Sequence, residues 1–84
     1  MNNNKLLSQV FRGMIANKQK NGIKMNKREW EAGFIVAAYE LDKELMAELL
    51  KEKSMIIPDK KFILAMLTGF KRQDMIDMIN NYKP

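Results

Sequence analysis

The sequence predicts an all-α fold: a compact bundle of four or five short helices in a single domain. Apolar residues recur at helical spacing along most of the chain, and no alternating apolar run lasts a strand's length. Prolines stand only at Pro58 and Pro84, so little interrupts a helix. The chain has 84 residues, 46% apolar and 30% charged, which suits one folded domain rather than a disordered segment.

Residues 1–4, three of them Asn, make a polar start and are expected to fray. A first helix is expected over residues 5–18, with an Asn before it as cap. At 100° per residue Leu6, Leu7, Val10, Phe11, Met14 and Ile15 fill one half of its cylinder, opposite Lys5, Ser8, Gln9 and Arg12. Asn21-Gly22 ends it, because Gly takes the left-handed conformation at little cost. Asn26, with Glu29 three residues later, reads as a capping box, and Met25 with Trp30 as its hydrophobic staple. The helix they start is apolar all round over residues 32–39, as suits the middle of a bundle. Asp42 can cap a third helix over residues 43–53, with Leu45, Met46, Leu49 and Leu50 inward. A single bent rod joining the second and third helices is the alternative. Pro58 disfavours helix at Ile57, and Asp59 can cap a fourth helix over residues 60–68. Gly69 breaks that helix. A fifth follows over residues 71–81, with Met75, Ile76, Met78, Ile79 and Tyr82 on its buried side. Lys18, Lys20, Ile23 and Lys27 recur 33 residues later as Lys51, Lys53, Ile56 and Lys60. Two copies are fewer than a stable repeat array needs, so this echo reads as coincidence.

The missing residue types exclude much chemistry. Cysteine and histidine are absent, which removes disulfides, thiolate metal sites and the commonest general base. Ser8 and Ser54 therefore lack a histidine to activate them. Gly13, Gly22, Gly33 and Gly69 lie apart and build no phosphate loop. The pairs Asp74 with Asp77 and Glu44 with Glu48 read as solvated helix faces. The expectation is a protein that is not an enzyme and takes no cofactor, no metal and no small-molecule substrate. No apolar run reaches the length of a membrane span and no leader pattern is read, so a cytoplasmic location is expected.

Charge is segregated within a net +5. Residues 1–28 carry seven cations and no acid, residues 29–59 eight acids against three lysines, and residues 60–84 five cations against two acids. The basic ends either pair with the acidic middle or face a polyanion.

One local pattern carries a mechanism. In residues 61–80, Ala65 is small where two helices would cross and Gly69 can turn the chain. Phe70 would plug the core after the turn, and Met75 and Met78 would hold the second helix down. The segment resembles the helix-turn-helix of phage repressor and Cro-like DNA-binding proteins. That resemblance implies duplex DNA as partner, with the last helix in the major groove. Lys71, Arg72 and Gln73 would then face base edges and phosphates, with Asn80 at the backbone. Lys18, Lys20, Lys24, Lys27 and Arg28 would add phosphate contacts. Two features depart from the pattern: Thr68 stands at a position that is usually apolar, and Asp74 and Asp77 set negative charge on the reading surface.

The other expectation comes from eight methionines, a residue type whose flexible side chains adapt to partners. Phe62, Met66, Phe70, Met75 and Met78 would form an apolar face that docks on a larger protein, as an adaptor or inhibitor does, or that closes a homodimer. The reading favoured from sequence is a DNA-binding accessory or regulator, with protein docking second.

Overall fold

A computed structural model describes residues 5–84. Among them are five helices and no strand: α1 (Leu6–Lys20), α2 (Lys27–Tyr39), α3 (Lys43–Leu49), α4 (Lys60–Gly69) and α5 (Gln73–Asn81). The expected fraying and the Asn cap of the first helix fall on residues 1–4, outside the described residues. The helix starts follow local chemistry. Asn26 Oδ1 accepts from Glu29 N at 2.8 Å while Asn26 N donates to Glu29 Oε1 at 3.0 Å, completing the capping box. Asp42 Oδ1 accepts from Leu45 N at 3.1 Å and caps α3. Asp59 precedes α4 but makes no side-chain cap, because its own backbone is left-handed (φ 46°).

Helix ends share one device. The chain turns through a left-handed residue at Gly22, Leu41 and Lys71, after α1, α2 and α4. Each turn closes by a bond from the following N–H to the helix: Ile23 to Lys18 O (2.8 Å), Asp42 to Ala37 O (2.8 Å) and Arg72 to Leu67 O (2.9 Å). The turn at Leu41 makes α2 and α3 separate helices rather than one bent rod.

Helix α3 packs on α1, α2 and α5, α2 packs also on α1, and α4 packs on α5. The slab measures 37 × 36 × 18 Å, about two helix diameters thick. This plan repeats. The hairpin α2–α3 and the hairpin α4–α5 superimpose in sequence at an offset of 30, with Gly33, Ala37, Leu45 and Leu49 buried where Ile63, Leu67, Met75 and Ile79 are buried. The offset differs from the 33-residue echo of lysines, and it matches these four buried positions and the left-handed turns at Leu41 and Lys71. Stacked hairpins of this kind bury a continuous core only between neighbours.

Trp30 stands at the centre, 1% exposed, its Nε1–H donating to Leu49 O at 2.7 Å. Its ring stacks on Phe34 (5.3 Å between centroids) and Tyr82 (6.3 Å). The Tyr82 hydroxyl reaches the carbonyls of Glu52 and Met55, tying the loop after α3 to the end of α5.

Two burial expectations are corrected. The segment 32–39 is not enclosed all round: Phe34, Ala37 and Ala38 are buried, but Ala32 and Tyr39 are exposed, since a helix in a slab this thin keeps one free side. The larger correction concerns α1. Of its expected inward face only Ile15 is buried and Phe11 and Met14 are partly buried, while Leu6, Leu7 and Val10 are 58%, 54% and 61% exposed. Polar groups join Ile15 and Phe11 in holding α1 to the slab. Arg12 Nε donates to the buried Asp42 Oδ2 at 3.0 Å and its Nη2 to Glu44 Oε1 at 2.9 Å. Ser8 N donates to Glu40 Oε1 (3.0 Å), and Lys18 pairs with Glu29 (3.4 Å).

Candidate functional site

The C-terminal hairpin departs from the expected helix-turn-helix at its turn. Gly69 is the last residue of α4, and the left-handed residue is Lys71, with φ 58°. Phe70 is 58% exposed instead of plugging the core, and Ala65 is exposed instead of marking a crossing. Met75 is fully buried and Met78 partly so.

The residues proposed to read DNA are placed as follows. Lys71 and Asn80 are exposed. Arg72 spends its fork on Asp74, through Nε to Oδ1 (3.1 Å) and Nη2 to Oδ2 (2.9 Å), with Nη1 3.5 Å from Leu41 O. The Arg72 guanidinium holds the Asp74 carboxyl down to about 2, against desolvation, so the pair stays ionised at neutral pH. Gln73 Nε2 donates to Asp77 Oδ1 at 2.8 Å. The start of α5 thus carries two carboxylates facing the two side chains meant for bases. At the other end of the slab Lys20, Lys24, Lys27 and Arg28 are exposed around the α1–α2 turn, and Lys18 is partly buried beside Glu29.

Among the described residues there is no group of three or more His, Cys, Asp or Glu able to hold a metal, and no helix long and apolar enough to cross a membrane. The cleft over Ile15, Trp30 and Leu49 has about 230 Å³ of space, and more open depressions elsewhere on the surface reach about 400–540 Å³.

What the surface does offer is exposed apolar area. Leu6, Leu7 and Val10 form one group on α1. Tyr39 and Phe62, 55% and 58% exposed, form another, with rings 6.3 Å apart. Phe70 and the partly buried Met66 continue from Phe62 along α4 at four-residue spacing. Each exposed aromatic ring leaves on the order of 100 Å² in water, so Tyr39, Phe62 and Phe70 together approach the largest apolar patch of an ordinary monomer. Sequence reasoning missed the α1 group, because an amphipathic stripe does not say which way it points. Buried Asp42, reached from Arg12, is the feature that turns α1 over.

No protein-family model, curated protein or solved structure matches this chain.

Proposed function

We propose that this protein is a non-enzymatic docking module that binds another protein through its exposed apolar surface. The observation that carries this reading is α1: an amphipathic helix seated through Ser8, Phe11, Arg12 and Ile15, with Leu6, Leu7 and Val10 in water. Monomeric proteins rarely leave such a face uncovered without a use for it. Tyr39, Phe62 and Phe70 form a second exposed apolar group, around α2 and α4. The DNA reading has less support, because Arg72 and Gln73 already bond to Asp74 and Asp77.

Two titrations discriminate. Docking predicts that replacing Val10 by Asp abolishes binding to an identified protein partner while leaving the melting temperature in place. DNA binding predicts association with a random 20-base-pair duplex whose affinity falls with a log–log slope of roughly −0.9 per phosphate neutralised. Tight duplex binding with such a slope, weakened by Arg72→Ala and unaffected by Val10→Asp, would overturn the docking reading.

A further inference from the structure

We infer that the groove between α1 and α2, on the flank away from α3, receives an amphipathic α-helix whose polar edge is acidic. This inference rests on the docking reading and names the partner's chemistry. Helical phase defines the groove. Arg12 and Gln19 turn α1 toward α3, where they meet Glu44 and Glu48, while Phe11 and Lys18 turn toward α2. Continuing round the same way, Leu7, Met14 and Val10 come next and face away from α3. On α2, Gly33, Glu29 and Glu40 face α1, and the residues beyond them are Val36 and Ala32. The floor is close-packed: a Cβ placed on Gly33 would lie 3.1 Å from the Phe11 ring.

The fold itself shows what suits such a groove. On the opposite flank of the α1–α2 pair lies α3, which packs on both helices. The free flank is apolar where a terminal face is normally polar. A helix seated there packs on the α1–α2 pair as α3 does on the other side.

Charge selects the occupant. α1 contains Arg12, Lys18 and Lys20 and no acid, Lys5 precedes it, and exposed Arg28 heads the Ala32 side of the groove. Glu29 and Glu40, the nearest acids, are already bonded to Lys18 and Ser8 N. A helix edged with Asp or Glu meets Arg28 favourably, whereas a second copy of α1 brings no acid to it.

The test is selection from a displayed library of helical peptides with randomised surface positions. The expected outcome is enrichment of apolar residues at helical spacing with Asp or Glu along one edge. A selected peptide should bind Val10→Asp at least tenfold more weakly and Arg28→Glu roughly three- to tenfold more weakly, and its acid-to-lysine counterpart should regain affinity for Arg28→Glu. Both variants alter exposed side chains, and an unchanged melting temperature confirms that they fold. If Val10→Asp leaves binding unchanged, or no peptide is selected, docking at this face fails. If Val10→Asp abolishes binding but the peptides carry no acids and Arg28→Glu is neutral, only the acidic partner fails. Val10-dependent dimerisation in sedimentation, or Val10-dependent binding to phosphatidylglycerol vesicles, would overturn the inference in favour of a second copy or a membrane.

Discussion

At the scale of single residues, Asp42 organises the attachment of α1. It is 1% exposed and does two jobs: it caps α3 through Leu45 N and anchors the Arg12 guanidinium. Burial opposes its charge, but Arg12 and the Leu45 N–H outweigh burial, and the carboxyl titrates below its ordinary value of 3.8. A carboxyl lowered in the folded state stabilises fully above its unfolded pKa and stops doing so as pH falls through the folded one. Asp42→Asn keeps the cap and loses the ion pair, and should cost about 1–2 kcal/mol, the pair being discounted because Arg12 is partly exposed. Asp42→Ala should cost about 1 kcal/mol more, through the lost cap. Urea melts check both, and the gap between wild type and Asp42→Asn should narrow as pH drops below 3.8. Ser8 lies beside Asp42: its buried Oγ makes no full hydrogen bond but helps hold the Asp42 carboxyl down, so Ser8→Ala should change stability by less than about 1 kcal/mol on the same assay.

At the scale of elements, the turns decide how hairpins form. Gly22 has φ 67° with open space around it, so Gly22→Ala meets no clash and should lose about 1 kcal/mol from backbone conformation alone. Lys71 holds the same left-handed position with an exposed side chain, so Lys71→Gly should be neutral or gain up to about 1 kcal/mol. Thermal melts of the two variants should move in opposite directions or leave Lys71→Gly unmoved. These turns also mark what the sequence could disclose. The capping box at Asn26, the Asp42 cap and the stop at Gly22 are written in residue types, so those boundaries were legible. Leu41 and Lys71 at left-handed positions carry no such signature, because it is the packing of each hairpin that forces a non-glycine residue there. The 30-residue repeat was hidden for a related reason: Ala37 and Leu67, or Leu49 and Ile79, share burial without sharing identity.

At the scale of the whole molecule, five amphipathic helices bury one face each, yet so thin a slab does not have room to cover every apolar stripe. Helix existence and order were legible because periodicity records them. The orientation of α1 was not, since it follows from a contact 30 residues away between Arg12 and Asp42. The slab therefore keeps a core that determines stability separate from an apolar surface that is free for contact. Replacing Leu6, Leu7 and Val10 together by Gln tests that separation. Each is more than half exposed, so the triple variant should unfold within about 1 kcal/mol of wild type, by the small cost typical of surface changes. Leu67→Ala alone should cost about 2–5 kcal/mol, because that side chain is fully buried between α4 and α5. Guanidinium melts of both variants check the ordering. If the triple variant proves as damaging as Leu67→Ala, α1 must pack its apolar stripe inward in solution, and the uncovered face on which docking depends does not exist.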